Sequence, residues 1–376
     1  MPVPFSAVPR AVEDQFHRDL IPVLRHRGWH PRVIPYDGYG TTSGSAGTSM
    51  VRVLARMVMR PKDAPSEGPL LSSLPETLPT TAAQARDMAV TSLMEAQRGW
   101  RLFIDAPVPY LPVTVRAGGT SVRTRADRGG YVDVVVRGHD LEPGWHTVEI
   151  DAAGAGTVRA RVLVVPPGPR LGIVSDIDDT AMVSHVPRVL VAAWNQLVKY
   201  TSSREPVPGM AELYTRIQAS HPGTPVMYLS TGAWNVLPTL RSFFQRHGFP
   251  DGPKLMTDWG PTNTGWFRSG IEHKRTELRR LMIDLPEVSW LLVGDDGQHD
   301  PLIYGEAARH HSERVRAVAI RKLTPAQQVL AGGLAVPQMG ISPESRTLAE
   351  ADVPVVVGAD GYDLARRLPP ELVDGR

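Results

Sequence analysis

The chain has 376 residues, a formal net charge of +2 and no cysteine. At roughly 100 to 200 residues per domain, this length predicts two domains, or three at most. The two signs of charge are interspersed, which argues against a nucleic-acid partner because such binding depends on a concentrated basic surface. The absence of cysteine excludes disulfide scaffolds, thiolate zinc sites and cysteine nucleophiles.

No apolar run reaches the roughly 18 residues that a membrane-spanning helix needs. The first residues, Met1-Pro-Val-Pro-Phe-Ser6, have neither the basic region nor the apolar core of a signal peptide. The sequence therefore predicts a soluble, cytoplasmic protein.

The first 166 residues show two different patterns of apolar residues. Residues 1–30 are predicted to form a helical segment, because Val12, Phe16, Leu20 and Val23 recur at helical spacing. Residues 31–166 alternate with a period of two between turn signals, which predicts an antiparallel β-sandwich interrupted by a helix at about 82–98. The alternating apolar positions are Val51, Val53 and Ala55; Val113 and Val115; Val132, Val134 and Val136; and Val158, Ala160, Val162 and Val164.

A stiff proline-rich linker, Pro166-Pro-Gly-Pro169, follows this part, and the pattern of apolar residues changes after it. Beyond it, continuous apolar runs alternate with segments of helical periodicity. The runs are 171–174, 226–229 and 290–293, and the helical segments are 186–200, 237–246 and 274–282. This alternation predicts an α/β domain over residues 170–322, with a parallel sheet covered on both faces and ligands bound beyond the carboxyl ends of its strands. Residues 323–376 are predicted to form a C-terminal helical tail.

An acidic pair follows the first apolar run. Asp176 and Asp178 are two residues apart, so both face one crevice if the backbone stays extended. One carboxylate could then act as a nucleophile and magnesium ligand while the other transfers protons, a division that suits phosphoryl transfer. The alternative is a solvated acidic turn.

Two further positions could bind a phosphate at this edge of the sheet. Ser230 and Thr231 follow the second run and offer hydroxyl and amide donors, although such residues also cap helices or form turns. Lys274 lies near the start of the helix that leads into the third run, and this end of the helix lies at the same edge of the sheet. The alternative for Lys274 is a solvated helix residue.

A second acidic cluster follows the third run. Asp295, Asp296 and Asp300 place three carboxylates within six residues, which repel one another unless protons or a cation compensate. Carboxylate oxygens are ligands that Mg²⁺ prefers. A solvated acidic turn is again the alternative.

The ordered set of these groups resembles the four motifs of the haloacid dehalogenase superfamily of aspartyl-phosphate enzymes. It is similar more specifically to the catalytic domain of the actin-patch-associated phosphatidate phosphatase family. The resemblance rests on Ser175-Asp-Ile-Asp-Asp-Thr180, Tyr228-Leu-Ser230 with Trp234, His273-Lys274, and Gly294-Asp-Asp-Gly-Gln-His-Asp-Pro-Leu-Ile-Tyr304. The β-rich part, including Tyr36-Asp-Gly-Tyr-Gly40, is similar to what precedes this domain in bacterial relatives. Family members often have Asn-Ser-Pro and Gly-Asp-Ser where this chain has Ser230-Thr-Gly232 and Gly294-Asp-Asp296.

The resemblance implies a Rossmann-like haloacid dehalogenase fold, a Mg²⁺ cofactor and a role for each matching residue. Asp176 would attack phosphorus, and Asp178 would protonate the leaving oxygen and then activate water. The phosphate-binding residues would be Thr180, which also supports the loop, Ser230, Thr231 and Lys274. Mg²⁺ would be held by Asp176, the backbone carbonyl of Asp178 and Asp295, with Asp300 or Asp296 adjusting the shell.

The predicted substrate is phosphatidate or a related lipid phosphate, approached through a peripheral membrane contact. Two alternatives remain open: a soluble small-metabolite phosphatase with the same catalytic residues, and a non-catalytic protein that binds a phospho-ligand or a membrane. Several apolar positions could either pack in the core or line a lipid site, so they do not distinguish a lipid phosphatase from these two alternatives. These positions are Val186, Val189, Leu190, Ala193, Trp194, Leu197, Val198, Trp234, Trp259, Trp266 and Phe267.

Overall fold

The computed structural model describes residues 21–42, 48–61, 106–183, 204–234, 237–257, 270–297, 299–324, 327 and 352–375. The expected helices at 82–98 and 186–200, most of the expected N-terminal helix, and Trp259, Trp266 and Phe267 lie outside these ranges. Of the predicted N-terminal segment 1–30, residues 21–30 are described; 21–26 are helical, and β1 begins at Trp29.

The first part of the chain forms a β-rich unit with nine described strands. These are β1 (Trp29–Pro35), β2 (Gly38–Thr41), β3 (Met50–Pro61), β4 (Ala106–Pro107), β5 (Pro112–Ala117), β6 (Thr120–Arg125), β7 (Tyr131–Arg137), β8 (Gly144–Ala152) and β9 (Gly156–Val165). Their order is β1-β3-β2-β9-β8-β5-β6, and β4 and β7 also pair with β3. Every described pair is antiparallel except β2 and β9, so the antiparallel pairing of the predicted β-sandwich is confirmed, and hydrogen bonds join the nine strands into one sheet.

The second part forms a six-stranded sheet in which all neighbouring strands are parallel. Its strands are β10 (Arg170–Asp176), β11 (Val226–Ala233), β12 (Lys254–Thr257), β13 (Val288–Asp295), β14 (Val315–Arg321) and β15 (Val355–Gly358). The order is β12-β11-β10-β13-β14-β15, so the chain reverses its direction of sheet growth at β10. At such a point the connections leave a crevice beyond the carboxyl ends of the strands.

Helices cover both faces of the parallel sheet. They are α1 (Met210–Ser220), α2 (Leu237–Arg246), α3 (Gly270–Asp284), α4 (Asp300–His310), α5 (Gly361–Arg367) and α6 (Pro370–Asp374). Ile173 belongs to one apolar cluster and its neighbour Val174 to another, because successive strand side chains point to opposite faces. Burial on both faces explains why the β10 run is continuously apolar.

The sheet extends past residue 322. Strand β15 pairs with β14 at the edge, and α5 and α6 follow it. Leu364 and Leu372 of these helices lie in the same apolar cluster as Ile173 of β10. The C-terminal residues 352–375 therefore add an edge strand and part of the core to the parallel-sheet part.

A buried polar contact joins the β-rich unit to helix α3. The carboxylate of Asp284 accepts hydrogen bonds from Tyr39 Oη at 3.0 Å and from Arg52 Nε at 2.8 Å. Arg52 also pairs with Asp133 at 2.5 Å. Apolar packing accompanies this polar contact, since the Tyr39 side chain belongs to the same apolar cluster as Leu281 of α3.

Among the described residues, no helix combines the length and apolar character that crossing a bilayer requires.

Candidate active site

The first motif is a buried turn at the carboxyl end of β10. Asp176 ends the strand, and the next residues turn back so that the amides of Ala181 and Met182 both donate to the carbonyl of Ile177, each at 3.0 Å. Asp179 has a left-handed backbone, with φ of 59°, at this turn. The chain therefore leaves the extended conformation directly after Asp176.

Lys274 lies at the centre of the site. Its Nζ is 2.5 Å from Oδ1 of Asp176 and 2.6 Å from Oδ1 of Asp300, and its side chain is buried. The alternative of a solvated helix residue is therefore wrong. Burial lowers the pKa of Lys274, but Asp176 and Asp300 raise it by more, so the net shift is upward and the ammonium stays charged.

A glycine allows helix α3 to bring Lys274 to this position. A Cβ on Gly270, the first residue of α3, would lie 2.8 Å from Cγ2 of Thr231. The start of the helix therefore touches the end of β11 at a distance that a larger side chain would not permit.

Three buried carboxylates surround the lysine. Oxygen atoms of Asp176, Asp295 and Asp300 lie within 4.8 Å of one another. Asp300 is the first residue of α4, and a Cβ on Gly294 would lie only 2.5 Å from its Oδ2. Glycine at the end of β13 thus lets the Asp300 carboxylate lie against the strand.

The electrostatics of this cluster favour a cation. Burial raises the pKa of Asp176 to about 8, with Asp300 and Asp178 adding to the shift and Lys274 opposing it. Burial, together with Asp300 and Asp176, also raises the pKa of Asp295 well above its ordinary value. Oδ2 of Asp176 and Oδ2 of Asp295 are buried and have no hydrogen-bond partner in the described part of the chain. Hard oxygen donors without partners fit a divalent ion such as Mg²⁺.

A bulge within β11 presents Ser230. Pairing with β12 shifts register between Leu229 and Ala233. Ser230 Oγ accepts from the amide of Gly232 at 2.9 Å and donates to Oδ2 of Asp178 at 3.3 Å. The hydroxyl is therefore oriented by its own turn and lies beside the second carboxylate of the first motif.

The remaining predicted residues lie around this core. Asp178 keeps 31% of its side chain exposed, in contrast to the buried Asp176. Thr180 is buried, and its Oγ1 has no hydrogen-bond partner among the described residues, whereas Thr231 is half-buried. Asp296 turns away towards the end of β14, where its Oδ1 accepts from the amide of Leu323 at 2.7 Å.

Two arginines that the motifs did not reveal contact the first turn. Arg204 is buried, and its Nη1 lies 3.4 Å from Oδ1 of Asp178. Arg321 Nη1 donates to the carbonyl of Asp179 at 2.6 Å. Arg321 ends β14, two strands from β10, so a search of every strand end would have found it. No sequence signal marks Arg204.

Comparison with known families identifies this part of the chain. Residues 171–322 match the model of the catalytic domain of phosphatidate phosphatase APP1. The match confirms the resemblance that the motifs predicted, and the family is haloacid dehalogenase-like. Every predicted site residue lies within the APP1-matching segment, which is less than half of the 376-residue chain.

Individual relatives are more distant. The chain is 27% identical over 155 residues to the uncharacterized protein C29B5.04c of Schizosaccharomyces pombe; the match covers 40% of this chain and a quarter (25%) of that protein. A carbohydrate acetylesterase structure from Xanthomonas citri is 12% identical, with 71% and 70% of the two chains covered and a TM-score of 0.26. A 2,6-sialyltransferase from Photobacterium is 7% identical, with 66% and 49% covered and a TM-score of 0.23. Scores this low carry no conclusion about fold or activity.

Proposed function

We propose that the protein is a Mg²⁺-dependent phosphatase with a Rossmann-like haloacid dehalogenase catalytic domain, and that it hydrolyses phosphatidate or a related lipid phosphate. The observation that carries this proposal is the burial of Lys274 between Asp176 and Asp300, beyond the carboxyl ends of β10 and β13. The strand order, with its reversal at β10, supports the Rossmann-like assignment. The match to the APP1 catalytic domain supports the reaction class.

Asp176 is the nucleophile in this proposal. Its carboxylate forms a bond to phosphorus while the bond from phosphorus to the leaving oxygen breaks, which gives an aspartyl-phosphate. Asp178, which is partly exposed and hydrogen-bonded to Ser230, donates a proton to the leaving oxygen and then takes one from the attacking water. The water oxygen bonds to phosphorus while the bond from phosphorus to the Asp176 carboxylate breaks, which releases inorganic phosphate and restores Asp176. Ser230, Thr231 and Lys274 bind the phosphoryl oxygens, and Thr180 supports the first turn.

The metal would be held by Asp176, Asp295 and the backbone carbonyl of Asp178. We propose Asp300 rather than Asp296 as the further carboxylate near the ion, because Asp300 is part of the buried cluster and Asp296 is bonded to Leu323. When bound, Mg²⁺ compensates the negative charge of the carboxylates and of the phosphoryl group.

The substrate class follows from the family description and not from the site geometry. A lipid phosphate places the reaction at a membrane surface, so we propose a cytoplasmic protein with peripheral membrane contact. A soluble phosphomonoester would use the same catalytic residues, and the two substrates must be separated by assay.

The test is a phosphate-release assay with Mg²⁺ that compares phosphatidate in mixed micelles with soluble phosphomonoesters. Asp176→Asn serves as the blank, and Asp140→Asn, an exposed aspartate of the β-rich unit, serves as the matched control. We expect release from phosphatidate by the wild type and by Asp140→Asn, and none by a folded Asp176→Asn protein. Faster release from soluble esters would reassign the substrate, and full activity of Asp176→Asn would exclude the mechanism.

A further inference from the structure

The turn between β1 and β2 carries the β-rich unit to the edge of the candidate active site. The ring of Tyr36 stacks on Trp234, with 3.7 Å between the centroids and 9° between the planes. Both side chains are buried and belong to the apolar cluster of the parallel-sheet part. The amide of Tyr36 donates to the carbonyl of Leu54 at 3.0 Å, which fixes the turn to β3.

Trp234 ends the bulge that contains Ser230. Because the register of β11 with β12 shifts between Leu229 and Ala233, regular strand pairing does not define the bulge itself. Strand pairing holds the bulge on both sides, through Leu229 with Leu255 and through Ala233 with Thr257, and Trp234 at its end also stacks on Tyr36. A side chain from outside the APP1-matching segment therefore contacts the end of the bulge that contains Ser230.

Asp37 adds a second contact to the same region. Its side chain is fully buried, and its Oδ1 accepts from Nη2 of Arg241 at 2.8 Å. Arg241 lies on α2, the helix that follows the bulge. A Cβ on Gly38 would lie 2.2 Å from the carbonyl oxygen of Arg52, so the chain at the end of this turn lies directly against β3.

We infer that Tyr36 and Asp37 are positioning residues for the proposed phosphate-binding bulge within β11. They act through Trp234 and Arg241, and they hold Ser230 in the orientation that its hydrogen bonds to Gly232 and Asp178 define. This inference rests on the proposed function, because it treats the turn around Ser230 as a phosphate site. By this inference, the β-rich unit helps to orient the active-site residue Ser230 but does not itself contact the reacting atoms.

The experiment uses the full chain with four substitutions. Tyr36→Leu removes the flat ring, Tyr36→Phe keeps it, and Asp37→Asn removes the charge at nearly constant volume. Ile150→Ala, in the core of the β-rich unit, is the control for a general loss of stability. Hydrogen exchange is measured for the amides of residues 229–234, and inhibition of phosphate release by inorganic phosphate is measured in parallel.

We expect Tyr36→Leu to accelerate exchange in 229–234 and to weaken inhibition by phosphate about tenfold or more, since small misplacements of binding groups cost up to about a hundredfold. Tyr36→Phe should match the wild type, and Ile150→Ala should lower the melting temperature without either effect. Unchanged exchange and inhibition in folded Tyr36→Leu would overturn the inference. If Tyr36→Leu does not fold, the Asp37→Asn variant provides the test. Faster amide exchange in residues 229–234 of this variant supports the inference, and an exchange rate equal to that of the wild type overturns it.

The two proposals fail in different ways. A wild-type protein that releases no phosphate under any condition contradicts the proposed function. The exchange measurement does not depend on turnover, so it still confirms or overturns the coupling of Tyr36 to the turn.

Discussion

The Nζ atom of Lys274 lies 2.5 Å from Oδ1 of Asp176, and both side chains are buried. When Asp176 is ionised, this pairing compensates the negative charge of the proposed nucleophile. The same ammonium also contacts Asp300, so one cation is shared by two carboxylates. Removal of the lysine and removal of the aspartate should therefore have very different consequences for stability.

Lys274→Met should lower the free energy of unfolding by about 3 to 5 kcal/mol, because it leaves buried carboxylates without their cation. Asp176→Asn should cost less, since Lys274 keeps Asp300 as a partner. The double variant should be more stable than the sum of the two single losses predicts, as expected for groups in direct contact. Urea denaturation of the four proteins at one pH measures this coupling, and strictly additive losses would contradict it.

Addition of Mg²⁺ should stabilise the folded protein. At a hundredfold excess over Kd, binding to the native state contributes about 2.7 kcal/mol, which corresponds to a rise in Tm of about 5 °C or more. Asp295→Asn should lose most of this rise, because Asp295 is part of the buried carboxylate cluster. Asp296→Asn is the matched control and should keep it, since the side chain of Asp296 is bonded to Leu323. An equal loss in both variants would place the ion elsewhere.

In the absence of metal, Asp176 should make stability fall as the pH rises. Burial raises its pKa from 3.8 to about 8, so between these values the folded state retains a proton that the unfolded state has released. The contribution of Asp176 to the free energy of unfolding is fully present below the pKa that its carboxyl has in the unfolded chain. It is lost as the pH rises through the pKa of the folded state, and the free energy of unfolding falls by at most about 1.4 kcal/mol per pH unit.

Urea denaturation in EDTA between pH 5 and 8 measures this effect as the difference in unfolding free energy between the wild type and Asp176→Asn. The wild type should lose stability relative to the variant as the pH rises. A difference that is constant over this range would show that the carboxyl of Asp176 titrates normally.

The contact of Asp284 with Tyr39 and Arg52 should matter for stability more than any exposed ion pair. Among the described residues, Asp284→Ala leaves the mostly buried Arg52 with Asp133 as its ionic partner, and we expect a loss of about 3 kcal/mol. The control is Asp374→Ala, which removes an exposed partner of Arg216 and should cost less than about 1 kcal/mol. Equal losses on urea denaturation would mean that the contact between α3 and the β-rich unit contributes little.

The sequence predicted the parts of the site that lie at the ends of apolar strands. Asp176, Ser230 and Asp295 follow continuous apolar runs, and a strand buried on both faces produces such runs directly. Lys274 was placed at the correct edge because a helix between parallel strands returns there. Helical periodicity predicts the helices at 237–246 and 274–282, and α2 and α3 confirm them.

Contacts between distant segments left no such signal. Tyr36 and Trp234 are nearly two hundred residues apart, and nothing local to either position indicates the stack. Arg204 is one of many arginines until the fold places it beside Asp178. Strand β15 has only four residues, Val355–Gly358, and so short an apolar run is not distinctive.

The position of β15 has a consequence for folding during synthesis. Until residues 352–375 emerge from the ribosome, β14 has a free backbone edge, and the cluster around Ile173 lacks Leu364 and Leu372. An unpaired edge beside exposed apolar residues is where nascent chains associate with one another. A chain that stops at residue 322 would contain every predicted site residue, and we nevertheless expect it to be prone to aggregation.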